Sequence, residues 1–352
     1  MSDTRDESRY GTGHEDGLSP LAPLDLAAVD SVDALVRAMS HTAFGGRRLG
    51  EAADVLEAMV RDEGCFRVLT VSGAMTIAKQ GLVICEMIDR GWIQAIVSTG
   101  ALMTHGLSEG AGLLHFKHRP TMQDEELYEK GYNRVYDTIE LEKNLDDVER
   151  ILEHALDALP DDTVLCSETL CRQLGRHLAA EGPMRGVLRS AYQHDVPIYV
   201  PAFTDSELGL DLAIYNRLRR SQGKRAFAFD PFLDLESFTD HVRQHERMGI
   251  FTIGGGVPRN WAQQVGPYLE ILNVRLGVDA PRRRYRYAVR ICPEPEHWGG
   301  LSGCSYTEGV SWGKFVPEAE GGRFAEVFAD ATIAWPLVVR AVIERTRASE
   351  TA

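Results

Sequence analysis

The chain has 352 residues, 44% apolar and 26% charged, which is the make-up of a globular protein of one large α/β unit rather than a minimal or low-complexity domain. Its formal net charge of −14 argues against nucleic acid as a partner and favours basic ligands. No apolar stretch reaches the length of a membrane span, the polar start has no signal-peptide core, and six scattered cysteines without a CxxC pair suit free thiols in a cytoplasmic protein.

Residues 1–20 are polar and glycine-containing and are expected to lack fixed structure, leaving 21–352 as one domain. Val32, Leu35, Val36 and Met39 fall at helical spacing, and a second helix is expected from Gly50 to Asp62. Val68 to Val71 reads as a short buried strand running into Ser72-Gly73-Ala74. A helix over Met75 to Arg90 follows, then a strand over Ile93 to Val97 that ends in Ser98-Thr99-Gly100. Further on, Val148, Ile151, Leu152, Ala155, Leu156 and Leu159 form one helical face. Val196 to Val200 is a strand leading into Pro201-Ala-Phe-Thr-Asp205. Ile250 to Ile253 leads into Gly254-Gly255-Gly256, with a helix behind it carrying Ala262, Val265 and Leu269. Tyr285 to Ile291 is a strand, and Ile333 to Arg347 closes the chain as a helix. The alternation predicts a single Rossmann-like, doubly wound, largely parallel sheet with flanking helices.

In such sheets ligands bind beyond the carboxyl ends of the strands, where helix N-termini present free N–H groups. Four loops are expected there: Ser72-Gly73, Ser98-Thr99-Gly100, Thr204-Asp205 and Gly254-Gly255-Gly256. Small residues let backbone approach a phosphate, and an aspartate accepts from ribose hydroxyls, so the set fits a dinucleotide although GxGxxG is absent. Each loop alone is equally ordinary turn chemistry. Asp330 is placed to cap the last helix or to face the same edge, and His105 follows the second loop. Asp205, Glu207 and Asp211 cluster as acids suited to a cationic substrate or to solvent. The run Glu308-Gly-Val-Ser311-Trp312-Gly-Lys314 offers a lysine that an indole and a carboxylate could desolvate and position for covalent work.

Taken together these residues resemble the deoxyhypusine synthase family, from about Leu24 to Arg345. The run ending at Lys314 is similar to the family's lysine-bearing segment. Gly254-Gly-Gly-Val-Pro258, Pro201-Ala-Phe-Thr-Asp205 and Ala329-Asp330-Ala331 stand in the family's order and spacing. The resemblance implies NAD as cofactor, polyamine substrates, and a homotetramer with active sites at subunit interfaces. It also implies transfer of an aminobutyl unit from spermidine through a Schiff base on Lys314. By position, Ser72, Gly73, Ser98, Thr99, His105, Asp205, Gly254, Gly255, Gly256, Ser302 and Asp330 would line the NAD site. Trp312 would wall the substrate's aliphatic part and Glu308 would pair with its ammonium; Asn260 and Asp211 would complete amine recognition.

Departures from the family pattern fall mainly on that recognition. The family's catalytic-site histidine falls on Asn260, two further substrate aspartates fall on Leu210 and Leu301, and a glutamate near the ribose falls on His105. The expectation is therefore an NAD-dependent alkylamine transferase with a small amine acceptor, in the manner of homospermidine formation. Modification of a lysine on a partner protein, and a catalytically silent NAD-binding scaffold, are the alternatives.

Overall fold

The computed structural model describes residues 5–350, with side chains through Arg347. Its centre is a six-stranded sheet, parallel throughout: β1 (Cys65–Val71), β2 (Ala95–Val97), β3 (Ile198–Tyr199), β4 (Arg247–Ile253), β5 (Tyr285–Ile291) and β6 (Arg323–Val327). The order across the sheet is β3-β2-β1-β4-β5-β6. Chain direction across the sheet thus reverses between β1 and β4, the switch point at which doubly wound sheets open a crevice.

Both faces of the sheet are covered, so its strands alternate between two apolar layers. Leu69, Val71, Phe251, Ile253, Val289 and Ile291 pack with the helices Phe44–Arg61, Gly81–Asp89 and Ala331–Glu350. Phe66, Val68, Met248, Ile250, Tyr285 and Ala288 face the helices Phe232–Arg243, Gly256–Gln263 and Val265–Leu276. This period of two, with every residue of β1 buried, is what two-sided burial demands of a parallel strand. The doubly wound fold expected from the alternation is present.

Several elements differ from the expected ones. The helix placed over Met75 to Arg90 starts only at Gly81, because the chain first makes a turn in which Lys79 takes a left-handed φ of 60°. The helix behind the triple glycine breaks at Gln264 into two, Gly256–Gln263 and Val265–Leu276. β6 went unforeseen, as did an antiparallel three-stranded insert (Phe116–Lys117, Tyr132–Val135, Thr138–Leu141) and a two-stranded pair, Val164–Leu165 with Ala228–Phe229. Of the expected unstructured start, residues 1–4 lie outside the described residues; residues 5–20 carry one 3-10 turn, Glu7–Arg9, and bury no residue. Residues 351–352 also lie outside. Among the described residues no helix is long and apolar enough to cross a membrane, and the six cysteines are unpaired.

Candidate functional site

The switch point brings together three of the four small-residue loops. Ser72, directly after β1, donates its backbone N–H to the Ile253 carbonyl at 3.0 Å and accepts at its hydroxyl from the Gly255 N–H at 3.0 Å. Thr99, after β2, donates its hydroxyl to the Gly73 carbonyl at 2.6 Å and caps the helix Gly100–Gly110 by accepting from the Leu102 N–H. Ser98 is 1% exposed and gives its hydroxyl to the Val71 carbonyl, so it ties the two strand ends together rather than facing the crevice. Ser302 closes the far side, packed so tightly on Gly255 that a Cβ there would stand 2.5 Å from the Ser302 Cα.

Gly73 and Gly254 hold left-handed φ values of 70° and 76°, and a Cβ on Gly73 would meet no atom within 4 Å. The crevice floor is therefore bare backbone. The helix Gly256–Gln263 begins at it, and the helix Gly100–Gly110 begins beside it, each with unpaired N–H groups and the positive end of its dipole turned toward the strand ends. Bare backbone and two helix N-termini fit the pyrophosphate of a dinucleotide. Asp205 lies exposed in the loop after β3. Asp330, after β6, caps the final helix by accepting from the Thr332 N–H at 2.7 Å and hydroxyl at 2.8 Å.

His105 sits elsewhere. It lies inside the helix Gly100–Gly110, buried, with Nδ1 bonded to Glu140 of the antiparallel insert at 3.0 Å. His115 contacts the same carboxylate oxygen, and Asn144 donates to the other at 2.6 Å. Burial alone would raise the Glu140 pKa; the hydrogen bonds from His105, His115 and Asn144 outweigh it and bring it down to about 2.

The helix that starts at the triple glycine also reaches the predicted lysine. Asn260 lies four residues along it, about 6 Å of axial rise from Gly256, and its Oδ1 accepts from Lys314 Nζ at 3.1 Å. Lys314 follows the helix Tyr306–Ser311 and a turn through Gly313 at φ 71°. Its own backbone locks onto β5, where the Tyr285 N–H donates to the Lys314 carbonyl at 2.9 Å. The ammonium stands 5.8 Å from the centre of the Trp312 ring, which is itself 63% exposed. Lys314, Trp312, Glu308 and Asn260 share one cleft of about 320 Å³ with Leu301 and Cys304. Burial pulls the Lys314 pKa below the usual lysine value; the Arg259 guanidinium adds to this, while Cys304 and Glu308 oppose it.

Three residues of this site escaped sequence reasoning. Arg259 and Arg290, both buried, converge on the backbone of the loop in front of the lysine. Arg259 donates to the Ser302 carbonyl at 3.3 Å and the Cys304 carbonyl at 2.6 Å, and Arg290 donates to the same two oxygens and pairs with Glu326. Cys304 lines the cleft, and its thiol pKa is raised by burial and by the neighbouring Glu308. Arg290 did leave a signal, as a charge set between Val289 and Ile291 in a largely apolar strand. Arg259 and Cys304 left none.

Asp211 is not part of the cleft. On the helix Glu207–Ser221 it faces Glu149 and Glu153 of the helix Glu142–Asp157; burial first, then Glu149, Glu207 and Glu153, push its pKa up to about 7. Leu210 beside it is exposed.

The family whose sequence profile matches residues 34–342 is described as deoxyhypusine synthase. A protein named probable deoxyhypusine synthase 2 in Methanosarcina acetivorans is 35% identical over 93% of this chain and 91% of its own length. A protein of the same name in Archaeoglobus fulgidus is 32% identical over 87% of this chain and 96% of its own. A deoxyhypusine synthase-like protein of Chlorobaculum parvum is 31% identical over 86% and 84%. Among solved structures, a candidate deoxyhypusine synthase from Entamoeba histolytica superposes with a TM-score of 0.59 at 14% identity, over 92% of this chain and 97% of that one, a likeness of fold.

Proposed function

Because the chain belongs to the deoxyhypusine synthase family, whose members are NAD-dependent aminobutyl transferases, we propose that it moves an aminobutyl unit from a polyamine to a small amine acceptor through Lys314. The observation that carries this reading is the half-buried Lys314 amine, held by Asn260 at 3.1 Å in a cleft shared with Glu308 and Trp312.

NAD, held by the glycine-rich crevice, would supply reversible hydride exchange, so that a carbon–nitrogen single bond of the donor is oxidised to an imine and the product imine is reduced with no net oxidation. The residues of the chain do the rest. Desolvation and Arg259 disfavour the Lys314 ammonium, leaving a lone pair to add to the substrate imine carbon. The donor's amine leaves with the proton given up by the lysine, and the four-carbon unit stays on Nζ as an imine. An acceptor amine then adds at the same carbon and displaces the lysine. Asn260 orients Nζ, Glu308 offers its carboxylate to the substrate's free ammonium, and Trp312 supplies an apolar wall that keeps water from the imine.

A small acceptor is favoured over a protein lysine by two neutral groups at the cleft, Asn260 and Leu301. Asn260 stands where a titratable or charged side chain could assist a long protein substrate, and Leu301 lines the mouth. The test is incubation of the purified protein with NAD and a panel of di- and polyamines, with products read by mass spectrometry. Diaminopropane release from spermidine that requires NAD, a new polyamine when putrescine is present, and loss of both in Lys314→Arg are the expected results. Release that needs an added protein acceptor would move the assignment to protein modification. Absence of release and of any borohydride-trapped adduct on Lys314 across the panel would leave a silent scaffold.

A further inference from the structure

Two clusters outside the cleft place two histidines and a glutamate within 4.8 Å of one another: His105, His115 and Glu140, and His154, His177 and Glu181. The first trio is already satisfied. Glu140 accepts from both rings and from Asn144, and the Lys79 ammonium lies against the remaining nitrogen of His115, a position that repels a metal ion. The second trio differs in each respect. Among the described residues its side chains make no hydrogen bond and no ion pair; they meet through the edge-on approach of the two imidazoles, with ring centres 5.3 Å apart.

From this contrast we propose that His154, His177 and Glu181 form a binding site for a divalent transition-metal ion of the Zn²⁺, Co²⁺ or Ni²⁺ class, joining two helices. His177 and Glu181 are four apart on the helix Ser167–Glu181 and so project from one face. His154 comes from the neighbouring helix Glu142–Asp157. Two imidazoles and one carboxylate are the borderline donor set these ions take, at about 2.0–2.2 Å per bond. Donors on one such ion stand about 3.3 Å apart, a spacing that small rotations of partly exposed side chains reach from the present arrangement.

The electrostatics point the same way. His154 lies in the last turn of its helix, and Glu181 is the final residue of its own. The site therefore receives the negative ends of two helix dipoles, where cations are favoured. Glu149, Glu153 and Asp157 add negative charge on the first helix. Arg150, the nearby cation on that helix, is engaged by Asp147 at 2.9 Å. Three protein ligands leave a coordination position for water. An ion there would lock the ends of two helices that otherwise meet there through side-chain packing and the contact of the two imidazoles.

The full-length protein, stripped with chelator and desalted, would be titrated with Zn²⁺ by calorimetry and with Co²⁺ by visible absorption. One equivalent should bind saturably, Co²⁺ should give ligand-field bands of a nitrogen and oxygen site, and Zn²⁺ should raise Tm. His177→Ala and Glu181→Gln should each weaken binding at least about 100-fold, beyond what loss of an outer-shell partner costs, and abolish the Tm increase. Glu181 is exposed and His177 only half-buried, so both variants should keep the wild-type circular dichroism. Binding that survives His177→Ala unchanged, or no saturable binding at all, would overturn the site.

Discussion

Asn260→Asp tests whether Lys314 works as a free amine. The substitution keeps the volume and replaces the accepting amide oxygen, 3.1 Å from Nζ, with a carboxylate. Lys314 is only half-buried, so an effective dielectric of roughly 40–80 applies, and a unit charge at that distance favours the ammonium by about 1.3–2.7 kcal/mol. At ~1.36 kcal/mol per unit, the lysine pKa should rise by about 1–2 units. Below that pKa the free amine falls tenfold per pH unit, so transfer near neutral pH should drop roughly 10–100-fold. NAD-dependent amine release measured from pH 6 to 10 should show the rising limb moved up by that amount, with activity recovered at the alkaline end. A loss equal at every pH would show that Asn260 acts by shape, and an unmoved limb would refute a role for the Lys314 proton.

Two further expectations concern the crevice and the acidic cluster. Gly255→Ala would drive a methyl group to 2.5 Å from the Ser302 backbone, which cannot swing away as a side chain could, so the crevice wall must move. A stability loss of about 1–3 kcal/mol together with weakened NAD binding by calorimetry is expected, and unchanged NAD affinity would remove this wall from the cofactor site. Asp211, with a folded pKa near 7 against a usual value near 4, contributes stability that is fully present below pH 4 and lost as pH rises through 7. Discounted for its partial exposure, Asp211→Asn should gain about 1 kcal/mol at pH 8 and almost nothing at pH 3 by urea unfolding; an equal effect at both pH values would contradict the acidic crowding.

The legible parts of the fold are those where burial acts on consecutive residues. β1 and β4 are apolar on both faces and end in glycines, and both could be read from Val68 to Val71 and Ile250 to Ile253 alone. β6 could not, because Arg323 and Glu326 interrupt it, and the charge of Glu326 becomes acceptable only once Arg290 of the next strand is paired with it. The strands of the antiparallel insert are two to four residues long, too short for a period to register. At the site, the reactive segment and the glycine loop carried local patterns. The bond between Asn260 and Lys314 spans 54 residues of chain, and no local pattern encodes it. His105 shows the converse. Its place in the chain suggested the cofactor edge, while helix geometry turned it toward Glu140.

The loop in front of Lys314 is seated by two guanidiniums that grip main-chain oxygens of Ser302 and Cys304. Every amino acid presents the same carbonyl. The grip is therefore indifferent to what residues 301 and 304 carry, and both of these side chains line the cleft. Retention of the scaffold is thereby uncoupled from choice of substrate: a lineage can exchange one amine for another by single substitutions at the cleft mouth while the frame that aims the lysine stays whole.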